Sequence, residues 1–137
     1  MKANWPELEL TLDTTGYFTG EVHRALFSNA PSGPVAAGNF VHFGPRARTN
    51  WHTHVGDQIL MVVSGVIAVQ FEGRQALRLE PGQSIRIPDG ERHWHGSAGM
   101  PSAHLAVNLG GTDWQDAVKE LEYDAALKGS TFVSPTQ

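Results

Sequence analysis

Seven histidines occur in the chain, and five of them fall between positions 52 and 104. His52 and His54 flank Thr53, so on an extended strand both imidazoles point to one face. Gln58 follows after Val55-Gly56-Asp57, at the start of an apolar run, and His93 comes later, behind Pro88-Asp89-Gly90. Three imidazoles and one carboxamide oxygen brought together on neighbouring strands would make an open site for Mn, Fe, Ni or Zn, with bonds of about 2.0–2.2 Å. A His-x-His pair alone is more often a packing or surface feature. The third histidine in a similar strand setting tips the balance toward metal.

Other residues belong to the same interior by alternation. His95 lies two beyond His93 and shares its face, and His104 opens the run Ala103 to Leu109. Imidazole titrates near neutrality, which suits either for moving a proton. Asn39, Val41, Leu60 and Asn108 are the expected pocket lining. His42 should face away from Val41, and His23 should lie at the surface. Arg46, Arg48 and Arg86 read as ordinary surface arginines. Trp51 and Trp94, next to the histidines, are expected to flank the site.

Competing chemistries find little support. With no cysteine, disulfides, thiolate sites and a cysteine nucleophile are excluded. Ser64-Gly65 lacks the surroundings of a nucleophile elbow, no phosphate-binding or dinucleotide loop occurs, and Asp13 and Glu21 form no convincing carboxylate pair. The net charge of −4 comes with no basic block, which argues against a nucleic-acid partner. Ile59 to Val63 is far shorter than a membrane span, and no apolar segment follows Lys2 as a secretory signal would require. The expectation is a cytoplasmic protein with no membrane partner.

The elements that must carry these residues are short. The chain of 137 residues reads as one domain, 1–137, with 40% hydrophobic and 18% charged residues. Strand candidates run from Tyr17 to Val22, Val35 to Phe43, Arg48 to His54, Gln58 to Val63 and Val66 to Phe71. They continue with Ala76 to Leu79, Ser84 to Ile87, Arg92 to His95 and Ala103 to Leu109, separated by Gly, Pro and Asp. Such spacing predicts an all-β antiparallel barrel or sandwich, its core over residues 35–110. Ala30 to Pro34 reads as a loop. Ile59 to Val63, apolar at every position, predicts a strand covered on both faces. Thr112-Asp113-Trp114-Gln115 has a capping-box pattern, and Trp114, Ala117, Val118 and Leu121 share a helical face, predicting a C-terminal helix over 113–124. The tail after Gly129 is expected to be loose or to reach a neighbouring subunit.

Two motifs carry a family resemblance. Gly44, then His52-Thr53-His54-Val55-Gly56-Asp57-Gln58 and Gly65, resembles the first cupin motif. Gly82, Pro88-Asp89-Gly90 and His93 resemble the second. Gln58 stands where most cupins have Glu, leaving a neutral ligand set, and Ser97 stands where the second motif usually ends in Asn. Trp51-His52-Thr53-His54, Gln58, Glu91 to Gly96, His104 to Val107 and Tyr17 to Gly20 together look like the bacterial cupin hydroxynitrile lyases. Val55-Gly56-Asp57 replaces the Pro-Leu-Gly more typical before the Gln.

The resemblance implies a jelly-roll β-barrel and one divalent metal, Mn2+ or Fe2+, with Ni2+ and Zn2+ as alternatives. It also implies His52, His54, Gln58 and His93 as ligands, His95 and His104 beside the metal without binding it, and a homodimer or higher homo-oligomer. The implied function is a lyase acting on a small hydroxy or carbonyl compound such as a cyanohydrin. An iron-dependent dioxygenase and a non-enzymatic small-ligand-binding cupin are the alternatives.

Overall fold

The structure is a computed structural model that describes residues 9–26 and 37–134. The expected loop at Ala30 to Pro34 lies outside these residues. The first strands are β1 (Thr11–Leu12), β2 (Phe18–Thr19), β3 (Val22–Leu26) and β4 (Ala37–Phe43). Next come β5 (Arg48–Thr49), β6 (His52–His54), β7 (Gln58–Ser64), β8 (Ile67–Phe71) and β9 (Leu77–Leu79). The rest are β10 (Ser84–Ile87), β11 (His93–Ser97), β12 (Ser102–Asn108), β13 (Thr112–Trp114), helix α1 (Glu120–Lys128) and β14 (Thr131–Phe132).

Two sheets face each other. One has the order β1-β3-β4-β12-β7-β10, and the other runs β13-β6-β11-β8-β9-β14, with β2 and β5 attached beside β11. Among the described residues, hydrogen bonding does not close them into one continuous barrel. Pairing among the described residues is antiparallel except between β14 and β9. Between the sheets lies an apolar core that includes Val41, Phe43, Leu60, Val62, Ile67, Val69, Leu79 and Ile87.

Several elements differ from expectation, each for a physical reason. The early strand divides at Gly20, where φ is +86° and a Cβ would lie 2.9 Å from Ala47. Only glycine fits that close approach. The stretch Arg48 to His54 divides at Asn50, whose amide nitrogen hydrogen-bonds to the Gly16 and Gln115 carbonyls. In β7, Leu60 and Val62 are buried, but Ile59, Met61 and Val63 are 48%, 45% and 45% exposed. This strand is covered on one face only, as an antiparallel sheet permits.

The helix begins at Glu120, not at 113. Thr112 to Trp114 instead pairs with β6, Thr112 opposite His54 and Trp114 opposite His52. Two further bonds, Trp51 N–H to the Asp116 carbonyl and Gln115 N–H to the Trp51 carbonyl, keep the chain extended. Strand pairing overrides the local capping pattern. The cap forms seven residues later, where the Glu122 carboxylate accepts the Lys119 N–H at 3.3 Å. Tyr123 and Ala126 form the buried helix face, and Leu121 is 84% exposed.

A second apolar cluster anchors this helix: Trp51, Ala68, Ala76, Trp94, Val118, Tyr123 and Ala126. Arg48 is buried there, its guanidinium donating to the Val118 carbonyl at 2.6 and 3.0 Å. The tail folds back through β14 onto β9 of its own sheet.

Candidate metal centre

Strands β6 and β11 lie side by side with His52 directly opposite His93, so alternation sends both rings inward. His54 and His95 follow on the same faces. Trp51, just before His52, and Trp94, between His93 and His95, point outward into the helix-side cluster instead of flanking the site. Across the interior, Gln58 on β7 pairs with Asn108 on β12, and His104 on β12 lies beside Val41 and Val62.

Two turns hold this end of the molecule in register. The Asp57 carboxylate binds Arg86 Nε at 2.7 Å and accepts the Asp89 N–H at 3.0 Å. Asp89 in turn accepts the Gly56 N–H at 2.8 Å, and Gly90 N–H donates to the His54 carbonyl. The replaced hairpin Val55-Gly56-Asp57 is therefore bolted to the turn that leads to His93.

The ring nitrogens are oriented by their outer partners. His52 Nδ1 lies 2.8 Å from the Asn50 carbonyl, and His93 Nδ1 lies 2.8 Å from the Glu91 carbonyl. A carbonyl only accepts, so both Nδ1 atoms carry hydrogen and both Nε2 atoms present lone pairs. His54 Nδ1 contacts the Thr112 hydroxyl at 2.9 Å, and its buried Nε2 has no partner among the described residues.

His93 Nε2 stands 3.2 Å from Gln58 Oε1. The Gln58 amide is pinned by its nitrogen, which donates to Asn108 Oδ1 at 2.7 Å. Two acceptors therefore face each other in a buried site. Burial holds His93 down to about pKa 4, so at neutral pH no second ring proton relieves the contact. Such a pair is stable when a cation lies within reach of both.

His52, His93 and His95 bring ligand nitrogens within 4.8 Å of one another, a group that could hold a metal ion. The His54 ring lies 4.8 Å from the His52 ring and 5.3 Å from the His93 ring. His95 Nδ1 and His104 Nε2 are 3.0 Å apart, and His95 Nε2 is buried without a partner among the described residues. Burial, reinforced for His52 by neighbouring His93 and for His95 by neighbouring His104, lowers both rings well below the usual imidazole value. His54 is lowered by burial as well, and His104 falls to about 4. The cluster is neutral at physiological pH, the form in which imidazole binds metals.

A cupin-domain family model matches residues 39–107. The (R)-mandelonitrile lyase of Granulicella tundricola is 38% identical over 112 residues, which cover 78% of this chain and 86% of that protein. The chain belongs to the cupin family. A cupin-like protein from Thermotoga maritima superposes with a TM-score of 0.83 at 32% identity, covering 93% of this cupin and 99% of that chain. The polyketide cyclase RemF from Streptomyces resistomycificus shares the fold, with a TM-score of 0.71 at 15% identity over 96% and 100% of the two chains.

The cavity above the histidines is small, about 40 Å³. Asn39, Val41 and Asn108 line it, and Leu60 lies in the apolar core. His42 is half-buried, on the face of β4 opposite Val41. Arg86 is engaged by Asp57, Arg46 by Glu120 and Asp124, and Arg48 is buried under the helix. Trp114, Phe18, Arg24, Thr49 and Thr112 also line the cavity, and sequence alone did not single them out. The Trp114 ring lies 4.6 Å from the His52 ring, placed there by β13–β6 pairing. For Arg24 the signal is partial: it lies two beyond the buried Val22 on β3, whereas Leu26, two further on, is exposed. Among the described residues no helix is long and apolar enough to cross a membrane.

Proposed function

We propose that this cupin is a metal-dependent lyase acting on a small hydroxy or carbonyl compound, with cyanohydrins as the class suggested by the Granulicella relative. His52, His54, Gln58 and His93 are the proposed ligands of one divalent cation, Mn2+ or Fe2+. The observation that carries this is the buried contact of two acceptors, His93 Nε2 and Gln58 Oε1, with the orphaned His54 Nε2 beside them.

A bound divalent cation supplies Lewis-acid polarisation of a substrate oxygen, worth several kcal/mol. The ligand set is neutral, so none of that charge is cancelled by the protein. His95 presents Nε2 to the same space and accepts the substrate hydroxyl proton. That role requires His95 to keep its other hydrogen on Nδ1, donated to His104 Nε2. His104 thus fixes which His95 nitrogen is free. Trp114 and Phe18 supply aromatic walls to the cavity.

The test is elemental analysis of protein purified without added metal, followed by cleavage of mandelonitrile and of the smaller lactonitrile with and without oxygen. The expected result is one metal per chain and oxygen-independent cleavage. Full activity in metal-free His52→Ala protein overturns the proposal, and substrate-dependent oxygen uptake would point to a dioxygenase. The expected assembly is a homodimer, checked by light scattering at twice the 14.9 kDa chain mass.

A further inference from the structure

The lining of the cavity carries charge of one sign only. Among the described residues that line it there is no carboxylate, and there is one guanidinium, Arg24. Arg24 reaches inward from β3, and its backbone neighbours run Arg24, Val41, His104 across three strands. Two strand spacings, about 10 Å, separate the Arg24 and His104 backbones.

The guanidinium is held but not saturated. One nitrogen, Nη2, meets Asp13 Oδ2 at 2.6 Å, and the group sits 5.2 Å from the centre of the Phe18 ring. Asp13 is itself shared, its Oδ1 accepting the Thr15 N–H at 3.0 Å and the Thr15 hydroxyl at 2.7 Å. The guanidinium makes no other polar contact among the described residues, and the side chain, 31% exposed, borders both the cavity and an outer groove beside Asp13 and Thr15. Guanidinium forks favour paired contact with a carboxylate, and here part of the fork is open.

We propose that Arg24 binds a substrate carboxylate, so the cavity takes a small 2-hydroxy or 2-oxo acid with its hydroxyl or carbonyl oxygen toward the histidines. This deepens the proposed function, on which the placement of that oxygen rests. The small cavity suits an acid of three or four carbons.

The experiment is calorimetric titration of the protein, purified with its metal, against lactate and against the neutral isostere lactamide. Wild-type protein is expected to bind lactate about 10-fold or more tighter than lactamide, the value of a charge-assisted contact. Arg24→Gln should abolish that preference. Asp13→Asn breaks the same ion pair from the other side, yet frees the fork, and should tighten lactate binding. Opposite effects of the two variants cannot come from a simple staple between strands.

A lactate preference that survives in Arg24→Gln overturns the inference. Equal weakening of both ligands in both variants also overturns it. If Arg24→Gln fails to fold, Asp13→Asn decides alone, and unchanged or weaker lactate binding sinks the idea. Absent cyanohydrin cleavage with an Arg24-dependent lactate preference would remove the lyase activity and leave this inference standing.

Discussion

The two sheets contribute to the histidine cluster in different ways. The sheet carrying β6 and β11 supplies His52 and His93, and each ring is tied to the carbonyl two residues earlier in its own chain, Asn50 and Glu91. The opposite sheet supplies Gln58 and His104, and neither is held locally. Gln58 depends on Asn108 from the neighbouring strand, and His104 on His95 from across the interior. One half of the site is oriented by short-range backbone contacts. The other half depends on contacts between strands, within the sheet for Gln58 and across the packed sheets for His104, so it should be more sensitive to packing and easier to retune.

Predictions that test this contrast follow in decreasing size of effect. His52→Ala removes an imidazole from the locally held half, and both bound metal and turnover should vanish, read by elemental analysis beside the cleavage assay. His104→Phe keeps a ring of similar size in the buried position. It should retain the metal and lower turnover by about 10²–10⁴-fold, the usual contribution of acid–base catalysis. Metal loss in this variant would show that the two halves are not separable.

Asn108→Ala releases the Gln58 amide to rotate. Metal affinity should fall by about 10–100-fold, the usual cost of losing an outer partner, with the fold intact by circular dichroism. The comparison would be broken if affinity were unchanged. A corresponding experiment on His54 and His95 separates ligand from bystander: His54→Ala should lower metal content, and His95→Ala should not.

The smallest effect concerns pH. Burial lowers His93 and His104 to about 4, whereas an unfolded histidine titrates near 6.5. Between those values the unfolded chain binds more protons than the folded one. The contribution of these two rings to the stability of the metal-free protein is therefore full above about pH 6.5, falls as pH drops toward 4, and is exhausted below that. Each histidine contributes about 1.4 kcal/mol per pH unit within the window. Denaturant titration across pH 4–7 should give this slope, and a flat profile would mean that the rings are open to water.

Much of the frame is legible from local pattern. Strands β10, β11 and β12 fall within a few residues of their expected bounds, because Gly, Pro and Asp mark their ends. The inward face of His52, His54, His93 and His95 follows from alternation alone. Trp114 was not legible. Its sequence neighbours favour a helix cap, and only pairing with β6 brings the ring against His52. Trp51 and Trp94 mislead in the opposite sense, since being next to a histidine on a strand puts a residue on the other face. Arg24 needed the tertiary structure as well, because alternation gives its direction but not the cavity it enters.

Residue types, turn positions and the face on which each histidine points were determined by the sequence, since these depend on interactions between near neighbours. Which distant groups meet was decided by the tertiary structure: Gln58 with His93, His95 with His104, Arg24 with Asp13, and the helix with β5. Such meetings depend on strand register and on the packing of one sheet against the other. No local period encodes either quantity.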